Sequence, residues 1–327
     1  MHAQLERHQV WIYLLAVLAG LGFGAGSPDA AALLDVSVWP LLALLLFATF
    51  TQIPLVRLRG AACDTRFITA LCLGNFLILP LLVGSVLLIL PLEPAVRLGI
   101  LLVLLVPCTD WFISFTHLGR GDAARAVAVT PLILLLQLAA LPFYLWLFLG
   151  DVVVDPVVVR PLLTALVLLI GLPLLLAVLL QRRIAGGGSG QVLLSTLALF
   201  PVPLLALVVF SIAASQSPAV LGMLGTLWLP ALLFAAFAVA GVFLGKLLAR
   251  AFRLPAEPGR TLAFSFATRN SFVVLPLALA LPAGWEAAAL VIVLQSLVEL
   301  LAMSLFVRWV PRRLIRSAGT ARRSHGP

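Results

Sequence analysis

The chain has 327 residues, of which 63% are hydrophobic and only 10% charged, with a mean hydropathy of +1.20. Water-soluble domains hold roughly 45–50% apolar and about 25% charged residues, so a soluble core under a polar surface is excluded. The net charge of +9 would suit nucleic acid, but the basic residues flank apolar runs, which gives them a topological role with weak contact to anionic lipid.

A membrane crossing takes about 20 apolar residues, and runs of this kind recur ten times, at approximately 10–26, 38–55, 67–90, 95–118, 124–149, 157–180, 192–214, 227–248, 261–282 and 287–310. The first lacks a convincing small-residue cleavage site and is read as span one, not as a removable signal. Gly20, Gly22, Gly24 and Gly26 give that span a small-residue face for close helix approach. Pro80, Pro142, Pro173, Pro201, Pro203 and Pro230 fall within spans, where bilayer helices tolerate them, and carry little functional weight.

Of the 21 Lys and Arg residues, all but Arg97, Arg160 and Arg269 fall at the N-terminus, in loops after even-numbered spans, or in the tail from Arg308 to Arg323. This asymmetry places both termini in the cytoplasm of a multi-pass protein of the cell (inner) membrane. The fold class expected is an all-α polytopic membrane protein with ten transmembrane helices in a 5+5 inverted repeat. Residues 1–150 form the first repeat, 151–310 the second, and 311–327 a basic cytoplasmic tail. Asp151–Pro156 connects the repeats outside, and the glycine-rich Ala185–Gly190 is a cytoplasmic linker.

Spans four and nine are interrupted at matching places. One reads Val106-Pro107-Cys108-Thr109-Asp110-Trp111, the other Ala267-Thr268-Arg269-Asn270-Ser271, followed by Pro276. A helix broken in hydrocarbon frees backbone groups that lipid cannot satisfy. Paired breaks in two repeats mark the midplane site of secondary transporters, so two broken, crossing helices are expected to line a polar cavity. Substrate-binding candidates are Cys108, Thr109, Asp110, Arg269, Asn270 and Ser271, with Pro107, Thr130 and Asn75 as secondary ones and Gln137 of lower weight.

Asp110, Arg269 and Glu299 are ionisable residues within spans, functional candidates because burying each costs several kcal/mol. Asp110 and Arg269 are expected to form a salt bridge at the crossing, either in the mechanism or as a structural pair holding the helices. Asp110 and Glu299 are the candidates for proton coupling, Gln295 lying one turn before Glu299. The three cysteines, Cys63, Cys72 and Cys108, are too few and too scattered for a metal cage; no metal and no cofactor are expected. Cys63 and Cys72 read as packing. Cys108, in the break, offers a sulfur suited to thiophilic ions, against the plain reading of a membrane cysteine as a small hydrophobe. His117, beside Arg120, is a proton relay or simply interfacial. A catalytic group of Cys108, Asp110 and His117 is disfavoured: nine residues along a helix separate the thiol and imidazole by about 13 Å. An enzyme is therefore not expected; the partners are a small-molecule or oxyanion substrate and the lipid bilayer, with no nucleic acid.

Pro107-Cys108-Thr109-Asp110-Trp111-Phe112, then Arg120-Gly121-Asp122-Ala123 and Val127-Ala128-Val129-Thr130, resembles span four and the following turn of the bile acid:sodium symporter superfamily. Arg269-Asn270-Ser271 is similar to the Gln-Asn-Ser at that superfamily's span-nine break. The resemblance covers the whole chain and is specific at these two motifs. It implies secondary transport. In sodium-coupled members it would place glutamate at Ser265, glutamine at Arg269 and Ser-Asn at Phe112-Ile113; Thr130 alone keeps a ligand-like type, and an arginine repels the cation. Sodium coupling is thus not expected. In the arsenical-resistance branch a cysteine in the span-four break is a key residue, and Cys108 matches it. That branch also carries a glutamate after the span-nine asparagine, where Val273 stands here, with Asp110 a substitute carboxylate. The function implied is efflux of arsenite or a related metalloid oxyanion by proton exchange or uniport, with Cys108 contacting the substrate. The alternative is an organic-anion transporter with Arg269 binding the carboxylate.

Overall fold

The computed structural model describes residues 2–53, 64–149, 156–184, 188–217 and 225–316. Among them the chain is helical between short connections, without β-strands. We number the helices α1 (His2–Gly26), α2 (Pro28–Gln52), α3 (Thr65–Ile89), α4 (Pro94–Leu104), α5 (Trp111–Leu118) and α6 (Ala123–Leu149). The second half holds α7 (Pro156–Ala165, continuing through Leu166–Gly171 into Leu172–Ile184), α8 (Gly188–Leu197), α9 (Pro201–Ser215), α10 (Trp228–Ala251), α11 (Ala256–Ala267), α12 (Ser271–Leu279) and α13 (Glu286–Trp309).

Seven helices among the described residues are long and apolar enough to cross a membrane: Asp29–Gln52, Thr65–Ile89, Ala123–Phe148, Arg160–Ile184, Val192–Ser215, Trp228–Ala251 and Glu286–Leu314. The expected spans outside this set are one, where the apolar stretch is Trp11–Gly26, and four and nine, each divided into two short helices, α4/α5 and α11/α12. Long apolar side chains cover the outside, among them Leu88, Trp146 and Leu305, as contact with hydrocarbon requires. The glycine-rich stretch differs from expectation: Gly188–Gly190 open α8, while residues 185–187, like Cys63, the connector 151–155 and the tail from 317, lie outside the described residues.

Prolines shape the spans locally. Pro80 has no N–H for the Phe76 carbonyl one turn back, and α3 widens into a π turn over Gly74–Ile78. The freed Phe76 carbonyl instead accepts a hydrogen bond from the Tyr144 hydroxyl of α6 at 2.5 Å. This is how neighbouring helices re-satisfy backbone groups in lipid. The same π turn carries Asn75, which is fully buried. At the start of α3, the Asp64 carboxylate accepts from Phe67 N at 3.1 Å and pairs with Arg125, which also meets Asp122 at 2.9 Å. The Phe67 N–H, with Arg125 beside it, holds the Asp64 carboxyl below its usual value. A depressed acid stabilises the fold above the ordinary carboxylate range and loses that contribution as pH falls through it, so acidification loosens this tie.

The helices pack as two groups. In one, α1, α2 and α9 pack together, with α7 against α2. In the other, α10 lies along α11, α13 along α4 and α12, and α5 beside α6 and α11. Small residues set both contacts. A Cβ at Gly20 would lie 2.5 Å from Phe210 O of α9, and Gly24 abuts Ala214, whereas Gly22 and Gly26 face open space; the expected small face of α1 is thus only Gly20 and Gly24. A Cβ at Gly241 of α10 would lie 2.5 Å from Phe266 O of α11. Gly241→Val is therefore expected to push α10 off the broken helix and cost about 1–3 kcal/mol, the usual range for overpacking. A lowered unfolding temperature in detergent, with Gly22→Val unchanged, is the expected readout; equal behaviour of the two variants would show that the contact is not limiting.

Candidate functional site

Pro107 cannot donate a helical hydrogen bond, and α4 ends before it. On the other side, α11 ends at Ala267, Thr268 is extended, and α12 restarts with Asn270 as N-cap, its Oδ1 accepting from Val273 N at 3.3 Å. The two extended stretches lie antiparallel and form an isolated bridge between Pro107 and Arg269. Asn270 N donates to Val106 O at 2.8 Å, and Cys108 N to Thr268 O at 3.3 Å. Asn270 Nδ2 adds a bond to Thr109 Oγ1 at 3.1 Å. The breaks therefore satisfy part of each other's freed backbone, which hydrocarbon could not do.

Successive residues of an extended stretch point to opposite sides. Asn270 faces Thr109; Arg269 faces away. The guanidinium of Arg269 is buried, the residue being 2% exposed. Its Nη2 donates to Asn75 Oδ1 at 3.2 Å and to Phe266 O at 2.8 Å, and its carbon lies 4.8 Å from the centre of the Phe237 ring. Asn75 Nδ2 in turn donates to Ser265 Oγ at 2.9 Å. The expected Asp110–Arg269 salt bridge is not formed, because the alternation directs Arg269 toward α3 and α10.

The acid beside Arg269 is Glu299 of α13. Glu299 Oε2 accepts from the backbone N of Arg269 and from Gln295 Nε2, both at 2.7 Å, and Gln295 Oε1 accepts from Ser271 Oγ at 2.6 Å. This joins Ser271, Gln295, Glu299 and Arg269 into one buried network. Its valences are not all filled: Arg269 Nε and Nη1 and Glu299 Oε1 have no hydrogen-bond partner among the described residues. Asp110 belongs to the other side of the crossing, where its Oδ1 accepts from the Cys108 thiol at 3.3 Å.

A cavity of about 250 Å³ lies between the two helix groups, lined on one side by Thr109, Asp110, Trp111 and Phe272 and on the other by Tyr13, Thr49, Gln52 and Leu205. Asp110 is the one Asp, Glu, Lys or Arg among the described residues of its wall. Trp111 stands edge-on to Phe272, with ring centres 4.9 Å apart, and stacks with Tyr13 at 5.9 Å. Cys108 is one layer behind, 1% exposed. A smaller cavity of about 90 Å³ lies at the opposite end of the same seam, against Trp39, Gln216 and Trp285.

The structure thus brings Pro107, Cys108, Thr109, Asp110, Asn270 and Ser271 to the crossing, with Asn75, Arg269, Gln295 and Glu299 behind it. It leaves others apart. Thr130 bonds its own helix at Ala126 O, 2.7 Å, and takes no part in the crossing contacts. His117 is exposed in the last turn of α5, and Cys72 is half-buried in α3. Gln137 is buried in α6, with neither side-chain polar atom partnered among the described residues. Sequence reasoning missed the wall from α1 and α2. Tyr13, Thr49 and Gln52 carry no charge and sit at no break; their polarity within apolar spans was the available signal. Among the described residues no cluster of His, Cys, Asp and Glu could hold a metal ion.

The family described as the Sodium Bile acid symporter family matches residues 39–223, from the middle of α2 past the end of α9 and including the first break. Comparison with curated proteins gives no match. The matched region is more than half of a chain whose helices are built to cross a membrane, so the protein belongs to the sodium bile acid symporter family, a family of membrane transporters.

Proposed function

We propose that the protein is a secondary transporter that exports a trivalent metalloid, taken up as neutral arsenous acid, in exchange for protons and without sodium. The observation that carries this reading is the character of the cavity wall. The one carboxylate among its described residues, Asp110, accepts a hydrogen bond from the Cys108 thiol, and those residues include no Lys or Arg to attract an anion. A small triol fits such a wall by hydrogen bonding, and the sulfur behind it is a soft ligand for a thiophilic centre. Exchange of one As–OH for As–S releases water. Asp110 takes the thiol proton and hands it to the departing hydroxide, which leaves as that water, and the reverse hydrolysis restores the thiol. Because Cys108 lies behind the wall, the step accompanies movement of one helix group against the other, the motion by which alternating access works.

Charge balance supports the proton. Two acids, Asp110 and Glu299, flank the crossing against one base, Arg269. Glu299 accepts from the backbone N–H of Arg269, and Asp110 is the acid that lines the cavity, so the transported proton is assigned to Asp110. Arg269 also bears on sodium: its guanidinium engages Asn75 Oδ1 and Phe266 O, neutral oxygens of the kind a cation would seek, and its charge repels one. Arsenite transport is expected to be the same when choline replaces sodium. A steep sodium dependence would contradict this part of the proposal.

The topology belongs to the same reading. Ten crossings in a 5+5 inverted repeat, residues 1–150 and 151–310 with the tail 311–327, put both termini in the cytoplasm of the inner membrane, on the strength of the charge asymmetry. The larger cavity then faces inward, since it meets the end of α2 at Gln52 and Ile53.

A second reading, transport of an organic anion, draws on the family match. It asks Arg269 to bind the carboxylate, yet Arg269 is absent from the cavity wall and Asp110 repels an anion there. Everted membrane vesicles separate the two. Accumulation of arsenite driven by an imposed pH gradient, and abolished by a protonophore, is the expected result; accumulation of an organic acid with no movement of arsenite would favour the second reading.

A further inference from the structure

The α1/α2 wall of the cavity contains one feature that the crossing does not explain. Thr49 of α2 is 5% exposed, and its hydroxyl has no hydrogen-bond partner among the described residues. A buried helical threonine ordinarily bonds a carbonyl of its own preceding turn. Several here do: Thr51 donates to Ala48 O at 2.7 Å, Thr130 to Ala126 O at 2.7 Å and Thr268 to Phe264 O at 2.8 Å. Thr49 does not, and it lines the cavity shared with Asp110. An unpartnered buried hydroxyl is costly, and such groups in native proteins call for a ligand or an ordered water.

We infer that Thr49 is a substrate-positioning residue, hydrogen-bonding from the α1/α2 wall a hydroxyl-bearing solute whose other side meets Asp110. This rests on the transporter reading above and adds the second anchor that it lacks. The two anchors belong to different helix groups. A solute touching both senses their separation, so Thr49 contributes when the groups are close and loses hold as they part. A solute without a hydroxyl or other polar group leaves Thr49 unpaired and is selected against.

The test uses wild type, Thr49→Val, which keeps the shape and removes the hydroxyl, and Thr49→Ser, which keeps the hydroxyl. Arsenite, taurocholate and tetraethylammonium are each offered to everted vesicles, and KM and kcat are measured for whichever solute moves. The expected result is a KM raised about tenfold in the valine variant, the effect of one lost hydrogen bond at a buried site, with kcat within about twofold. The serine variant is expected to behave as wild type. An unchanged KM in Thr49→Val, or equal impairment of both variants, overturns the inference. If arsenite does not move but taurocholate does, with a KM that depends on the Thr49 hydroxyl, the metalloid reading fails and the anchor stands; movement of tetraethylammonium alone, which has no group for that hydroxyl to bond, overturns it. Movement of none of the three in wild type contradicts both.

Discussion

Asp110→Asn is expected to lower the transport rate by about a hundredfold or more, the scale on which a positioned proton-transfer group contributes. The substitution is nearly isosteric, and its structural cost is small for a specific reason. Asp110 stands at the N-cap of α5 without a side-chain capping bond, so helix initiation does not depend on the carboxylate. Asparagine also keeps an oxygen for the Cys108 thiol, which in the native protein donates to Asp110 Oδ1. What disappears is the group that can lose and regain a proton on a wall whose described residues include no other acid. The check is the initial rate of pH-driven arsenite uptake into everted vesicles, at matched amounts of membrane-inserted protein. Wild-type rates in the variant would remove Asp110 from the mechanism.

The second large effect is expected at Arg269, and it concerns folding more than transport. Arg269→Gln removes the guanidinium from Asn75, Phe266 O and the Phe237 ring and leaves Glu299 as a buried acid with no base beside it. Glu299 bonds the backbone N–H of position 269 and not the guanidinium, so the cost is that of the guanidinium's buried hydrogen bonds and of a nearby opposite charge, about 1.5–3 kcal/mol. The double variant Arg269→Gln/Glu299→Gln removes both charges. It is expected to recover the part of the loss due to the unbalanced charge, because the amide oxygen introduced by Glu299→Gln can still accept from the backbone N–H at position 269 and from Gln295. Thermal unfolding of the two single variants and the double variant in detergent measures the coupling. Additive losses would show that Glu299 and Arg269 are independent, contrary to the network described above.

Much of this arrangement was legible before any coordinates. The breaks at Cys108–Asp110 and Thr268–Ser271 announce themselves because clustered polar residues are rare within apolar runs. Ser271, Gln295 and Glu299 were visible for the same reason. The direction of Arg269 was not. Two charges at two matching breaks suggest a pair, but the side of an extended stretch from which a side chain leaves depends on the register of the bridge. Pro107 opposite Arg269 sets that register, sending Asn270 to Thr109 and Arg269 to Asn75. Asn75 gained its place through the π turn before Pro80, a local widening that a count of apolar residues does not reveal. Thr49 and Tyr13 were hidden differently. Each is an uncharged residue in an apolar helix away from either break, and only the packing of α2 and α1 against the crossing makes it part of the wall. The glycine-rich run after α7 read as linker because glycine disfavours helix, yet Gly188–Gly190 begin α8.

Thiol-dependent export of a metalloid is tested most directly by cell-associated arsenic in an efflux-deficient bacterium given arsenite and expressing wild type or Cys108→Ala. Less arsenic in cells with wild type, and none of that reduction with Cys108→Ala present in the membrane at the same level, is the predicted result. Equal arsenic in cells with wild type, the variant and no transporter would contradict it.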